Sequence, residues 1–212
     1  MAVYDLEEQE QLEALKSWWK THGNLITYAV LAVVLVFAAW QGYRYWQQSK
    51  SANAAQAYAQ LDKAARAKDG KKVRDSAALI MKEFPNSGVA GMAALMGAKA
   101  AFDANDLKSA REQLQWAADK SRDETLRATA RLRLAGVLLD EKSYDDALKQ
   151  LASGFPESFA GLVADLRGDV LTAQGKLTDA RAAYKLALEK LPADSSYRPV
   201  VQVKLDDLGS AS

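Results

Sequence analysis

From Thr21 to Tyr43 the chain carries no Asp, Glu, Lys or Arg, and the centre of this stretch, LITYAVLAVVLVFAAW, is almost wholly apolar. At about 1.5 Å of helical rise per residue these positions reach roughly 35 Å, enough to cross the ~30 Å hydrocarbon core of a bilayer. Trp18 and Trp19 stand before the stretch, and Trp40, Tyr43, Tyr45 and Trp46 at its far end. Amphipathic rings settle at the headgroup level, so both interfaces are marked. A buried core helix has no need of an aromatic cluster outside each end. A cleaved signal peptide opens on a short basic segment, whereas here Asp5, Glu7, Glu8, Glu10 and Glu13 come first. The pattern predicts one retained membrane-spanning helix over residues 21–46.

Polar and apolar positions also recur with a helical period on both sides of the span. Residues 1–20 form a short acidic tail in which Asp5 and Glu8 are spaced as in a capping box, and Leu12, Leu15 and Trp19 share one face. The Ala- and Gln-rich, proline-free stretch after the span predicts a juxtamembrane helix over 47–70, in which the anchor helix continues or restarts until Asp69-Gly70 breaks it. Residues 71–212 are Ala, Leu, Lys and Asp in helical periods. They are punctuated at Phe84-Pro85-Asn86, Ala104-Asn105-Asp106, Phe155-Pro156 and Leu191-Pro192. The expected fold class is all-α.

Within that last part the pattern repeats. DSAALIMKEF, KSAREQLQWA, DDALKQLASG and TDARAAYKLA align on Ala77, Ala110, Ala147 and Ala180, spaced 33, 37 and 33 residues apart. Twelve positions before the last three stand Ala98, Ala135 and Gly168, and four positions after them Leu114, Leu151 and Tyr184. Small side chains at both places let two antiparallel helices approach closely, and the larger ones fill the space between repeats. This is the tetratricopeptide pattern, an α-solenoid of stacked helix pairs. VADLRGDVLTAQGKLTDARAAYKLALEKLP matches it best, the first unit is divergent, and VQVKLDDL is expected to close the far end as a last helix.

In such a solenoid the first helix of each pair lines a concave face. The register places Met92, Leu95, Lys99, Phe102, Leu132, Leu139, Leu162, Asp165 and Asp169 there as a candidate protein-binding groove. Met, Leu and Phe rimmed by a few charges suit an apolar or amphipathic segment of another protein. The same residues would instead be core if the register were shifted or if the terminal helix folded into the groove. Lys99 is the one basic residue at the positions where carboxylate-clamp repeats carry Lys and Asn, so the pair needed to hold a partner's C-terminus is missing.

Charge and candidate chemistry narrow the picture further. The chain has 28 Lys plus Arg against 27 Asp plus Glu, a balance that selects no nucleic acid. Cysteine is absent and His22 is the lone histidine, which leaves no thiolate metal site, cysteine nucleophile or histidine-based triad. Asp145-Asp146 and Asp206-Asp207 suit a helix start and a solvated chain end, and Gly88-Val-Ala-Gly91 lacks the partners of a phosphate loop. No catalytic, cofactor or metal site is expected, and no cofactor. Lys63, Arg66, Lys68, Lys71, Lys72 and Arg74 form a basic run near the membrane, suited to anionic headgroups or to a solvated face. Lys16 and Lys20 before the span balance Arg44 and Lys50 after it, so charge alone gives no orientation.

The segments YDLEEQEQLEALKSWWKTHGN, WQGYRYW, LRLAGVLLDEKSYDDALKQL and VADLRGDVLTAQGKLTDAR resemble, nearly end to end, the YfgM-like ancillary subunits of the bacterial Sec translocon. That resemblance implies a single-pass inner-membrane protein with a cytoplasmic tail over 1–20 and periplasmic repeats over 71–212. Its implied partners are the SecYEG translocon, a membrane-anchored periplasmic chaperone of the PpiD type and exported client proteins, beside the lipid bilayer. The expected function is non-enzymatic: passing newly exported chains to periplasmic folding factors. A scaffold for envelope stress signalling or envelope assembly is the alternative, and a helical membrane enzyme lacks the residues for chemistry.

Overall fold

The computed structural model describes residues 3–152 and 154–210, with side chains over 11–152 and 154–209. Among them there is no strand. The helices are α1 (Val3–Arg66), α2 (Gly70–Glu83), α3 (Ala90–Asp103), α4 (Leu107–Lys120), α5 (Glu124–Asp140), α6 (Tyr144–Gln150), α7 (Ala160–Ala173), α8 (Leu177–Lys190) and α9 (Arg198–Ser210). One 3₁₀ turn, Glu157–Phe159, precedes α7. The chain divides into two compact units, one up to Lys50 and one from Ser51.

In the first unit the helix is already formed at Val3, ahead of Asp5; the Asp5 and Glu8 side chains of the expected capping box lie outside the described residues. Leu25, Val33, Val36 and Phe37 are exposed, a surface that water does not tolerate and lipid requires. Among the described residues α1 is the one helix long and apolar enough to cross a membrane. Its polar side chains turn back onto its own carbonyls: Thr21 Oγ1 donates to Ser17 O at 3.0 Å and Thr27 Oγ1 to Gly23 O at 2.8 Å. At the far end Arg44 lies 4.8 Å from the centre of the Trp40 ring, and Lys50 Nζ lies 4.3 Å from that of Trp46. Cations folded onto aromatic faces belong at the headgroup level.

The second unit is built of helix pairs. From α2 onward each helix packs on the next, while α3 also touches α5 and α5 touches α7, which makes an inner row. Ala77, Ala110, Ala147 and Ala180 are all fully buried, as are Ala98, Ala135 and Gly168 or nearly so, because these are the points where paired helices cross. Gly168 shows the reason most sharply, since a Cβ there would overlap the Tyr184 ring. Leu114, Leu151 and Tyr184 fill the gaps between pairs. The end of α1 takes part as well: Leu61 is wholly buried with Ala77, Ile80, Ala90 and Ala93, and Ala57 and Tyr58 pack on that cluster. The stretch expected as a juxtamembrane helix continues the helix of the span without a break as far as Arg66, and its last turns are members of the repeat body.

Each pair turns the same way. Lys68, Asn105, Lys142 and Gly175 have positive φ, and the N–H of the next residue reaches back to close a Schellman motif: Asp69 N to Ala64 O, Asp106 N to Ala101 O, Ser143 N to Leu138 O, Lys176 N to Leu171 O. Asp69 and Asp106 then cap the next helix by accepting from Lys72 N and Ser109 N. The Lys72 ammonium and then its backbone N–H hold the Asp69 carboxyl below the usual carboxylate range, and the Ser109 side chain and then its backbone N–H do the same for Asp106. Between pairs an arginine donates to carbonyls at the end of the preceding helix or just past it. Arg127 donates to Ser121 O and Arg122 O, Arg167 to Leu151 O, and Arg198 to Leu188 O and Leu191 O.

Candidate protein-binding groove

The inner row α3, α5 and α7 presents one face made of two lanes. Over α7 the lane is closed, because α9 lies on it. Val201 is wholly buried there and Leu208 nearly so, with Leu162, Leu171 and Leu205 packed around them. At the centre Lys204 Nζ bridges two carboxylates, 2.9 Å from both Asp165 oxygens and 2.8 Å from Asp169 Oδ2. Tyr197 Oη donates to Asp165 and Tyr184 Oη to Asp169, each at 2.8 Å. Asp165, 3% exposed, is one of the two buried polar or charged residues in the described core. Burial drives the Tyr184 phenol up to about 12, the bond from Thr172 opposes this, and the Asp169 carboxylate adds to it. Burial and the Asp165 carboxylate push Tyr197 up in the same way. Burial alone would depress Lys204, but its bonds to Asp169 and Asp165 outweigh this and hold its ammonium above the ordinary lysine range.

Over α3 and α5 the lane is open. A groove of about 480 Å³ lies there, floored by Ala98, Leu114 and Val137 and walled by Phe102, Leu139 and Leu166. Lys99 and Asp103 on α3 pair with each other at 2.7 Å across one turn. Arg133 and Asp140 on α5 stand at the rim and have no partner among the described side chains. Gly136 lies between them, with nothing within 4 Å of where a Cβ would sit.

The residues expected in the groove therefore part company. Lys99, Phe102 and Leu139 line the open lane, with Phe102 43% exposed. Leu95 is core, buried with Leu134 and Leu138, and Leu132 packs half-buried on that core. Met92 is half-buried beneath Tyr58, whose hydroxyl points at the Met92 and Met96 sulfurs. Leu162, Asp165 and Asp169 lie under α9 rather than on the surface, because the terminal helix covers them and Lys204 neutralises part of their charge. Arg133, Gly136, Asp140 and Leu166 line the open lane without having been expected there. The one available signal was a glycine in the middle of an otherwise well-formed helix, next to and distinct from the crossing position Ala135. Among the described residues no three His, Asp or Glu side chains converge as metal ligands. His22 stacks on Trp18, with ring centres 5.3 Å apart.

A tetratricopeptide repeat-like domain model matches residues 16–210. A Neisseria gonorrhoeae protein named ancillary SecYEG translocon subunit is 34% identical over 204 residues, covering 96% of this chain and 98% of its own. Its Escherichia coli namesake is 31% identical over 209 residues, covering 98% and 99%, and that of Haemophilus influenzae 29% identical over 208 residues, covering 97% and 100%. The chain belongs to the family of ancillary SecYEG translocon subunits. In this family member the membrane-anchoring helix and the tetratricopeptide-like domain are both present in one chain, and the domain offers one covered and one uncovered lane on its inner row.

Proposed function

We propose that this protein is a non-enzymatic, single-pass inner-membrane subunit that associates with the Sec translocon and uses its repeat domain to bind other proteins during export. The observation that carries this reading is the full-length similarity to proteins named ancillary SecYEG translocon subunits, joined to an apolar groove on the inner row of a tetratricopeptide-like domain. In this reading residues 1–20 are cytoplasmic, 21–46 span the membrane, 47–70 leave it, and 71–212 work in the periplasm. The domain receives exported chains and passes them to a membrane-anchored chaperone of the PpiD type. No step of it needs a catalytic group.

Because the chain has no cysteine, topology can be read with single substitutions and a membrane-impermeant thiol reagent. In spheroplasts Asp194→Cys is labelled and Gln11→Cys is not; the reverse contradicts the orientation. A photo-crosslinker at Leu35 captures a translocon subunit in intact membranes, and repeated failure there contradicts the association. Deletion of residues 2–15 leaves that capture intact, whereas a signalling scaffold that works through its cytoplasmic tail would lose its output.

A further inference from the structure

We propose that the hole at Gly136 receives an amphipathic α-helix of a partner protein, which inserts one large apolar side chain between α3 and α5 and sets an acidic residue against Arg133 and a basic one against Asp140. This rests on the reading of the inner row as a protein-binding surface and names what binds there.

Gly91, Gly97, Gly161 and Gly168 also lie within helices of the repeat domain. Each is required, because a Cβ would run into Ser121, Gln113 and Ala77, Leu191 or Tyr184 respectively. Gly136 faces open space, as do Gly70 at the start of α2 and Gly209 at the end of α9, but of these three Gly136 alone stands in the middle of its helix. A mid-helix glycine weakens a helix, and no neighbour within the fold compels this one. Its lack of a side chain keeps the groove deep at the point where Leu114 and Val137 form an apolar floor. The room suits one or two large apolar side chains from outside.

Charge selects the form of the occupant. Arg133, Gly136, Val137 and Asp140 recur at helical spacing, so the cation, the hole and the anion share one face of α5. Arg133 and Asp140 are two turns apart, about 10.5 Å along the axis. A partner helix matches that spacing with an acid and a base seven positions apart and an apolar residue between them, whereas an extended chain covers the distance in about three residues. The adjoining lane already holds a helix by the same rule: α9 seats Val201, Leu205 and Leu208 around one charged residue, Lys204, set against opposite charges. The open lane differs in leaving its charges for someone else.

The probe is a hydrocarbon-stapled peptide of about sixteen residues, long enough for four turns, with Glu and Lys seven positions apart and Phe and Leu between them. Its binding to the full-length protein in detergent micelles is read by fluorescence anisotropy. Gly136→Leu fills the hole from within, and the proposal expects affinity to fall by about tenfold or more, in line with filling an apolar side-chain pocket, while the melting temperature holds or rises. Arg133→Glu weakens binding several-fold, and a peptide with Lys in place of its Glu restores it. Binding that is equal for wild type and Gly136→Leu overturns the proposal. So does equal binding of an unstapled version broken by central prolines, which would identify an extended chain as the ligand. A wild-type protein that co-purifies with translocon subunits yet ignores the peptide sinks this proposal alone; one that brings down no translocon sinks the functional reading beneath it.

Discussion

The lane over α7 and the lane over α3 and α5 are built from equivalent helices of successive repeats, yet one is shut and the other open. In the shut lane both carboxylates meet a countercharge: Lys204 lies between Asp165 and Asp169, Tyr184 donates to the one Asp169 oxygen that Lys204 does not reach, and Tyr197 adds a second bond to Asp165. In the open lane Lys99 and Asp103 pair within their own helix, and Arg133 and Asp140 face outward. The glycines divide in the same way, since Gly168 is pressed against a ring and Gly136 against nothing. Closing a concave surface over carboxylates requires a built-in countercharge, because an uncompensated buried charge is costly. A surface kept for a partner leaves that countercharge to the partner.

The largest effect is expected where the same substitution is made at the two glycines. Gly168→Leu drives a side chain into the Tyr184 ring and displaces its bond to Asp169, so it destabilises by roughly 3 kcal/mol; urea unfolding followed by circular dichroism reads it directly. A wild-type midpoint for Gly168→Leu would mean that α7 and α8 do not cross there. Lys204→Met comes next, at roughly 2 kcal/mol. This lies below the usual cost of breaking a buried pair because the lysine side chain keeps 27% of its exposure. Adding Asp165→Asn and Asp169→Asn to it recovers part of the loss, which a purely apolar role of α9 would not produce.

Alkaline pH sharpens the same comparison. Tyr184 ionises near 12 in the folded protein against an ordinary 10.0, and Lys204 is also held above its ordinary 10.5. The folded state therefore keeps protons that the unfolded state releases, so these groups contribute stability that is full below about pH 10 and is lost as pH rises through their folded values. Unfolding midpoints measured from pH 8 to pH 11.5 fall across that window, and Tyr184→Phe flattens the fall. An equal slope in both proteins would contradict the network.

The two smallest effects belong to the open lane. Gly136→Leu raises stability by up to about 1 kcal/mol, since it removes a helix-weakening glycine without a clash. Lys99→Met changes stability by less than about 0.5 kcal/mol, because its partner Asp103 is an exposed i,i+4 neighbour. A large loss from either would show that the lane is packed rather than open.

Much of this architecture is legible in the chain because its signals are local and periodic. The crossing alanines Ala77, Ala110, Ala147 and Ala180 recur at nearly fixed spacing and all turn out fully buried, as close helix crossings demand. The span is equally plain, since lipid exposure leaves an unbroken apolar run. What escaped the pattern was non-local. Lys204 reads as any solvated lysine until α9 folds back over Asp165, which is 39 residues away in sequence. Tyr58 sits beyond the first recognisable repeat, so its place over Met92 had no register to announce it. Of the expected groove, Lys99, Phe102 and Leu139 were placed by helical period alone. The depth between them comes from Gly136, whose meaning depends on what neighbouring helices leave empty.

On the proposed function the inner row, where α9 leaves it uncovered, is where a membrane-anchored export subunit meets its partners. Photo-crosslinkers placed at Phe102 in the open lane and at Leu79 on α2, which is somewhat more exposed, put this to the test in intact membranes during active secretion. Adducts with exported chains or translocon-associated proteins, identified by mass spectrometry, are expected at Phe102 and not at Leu79. Adducts at Leu79 with none at Phe102 would contradict it.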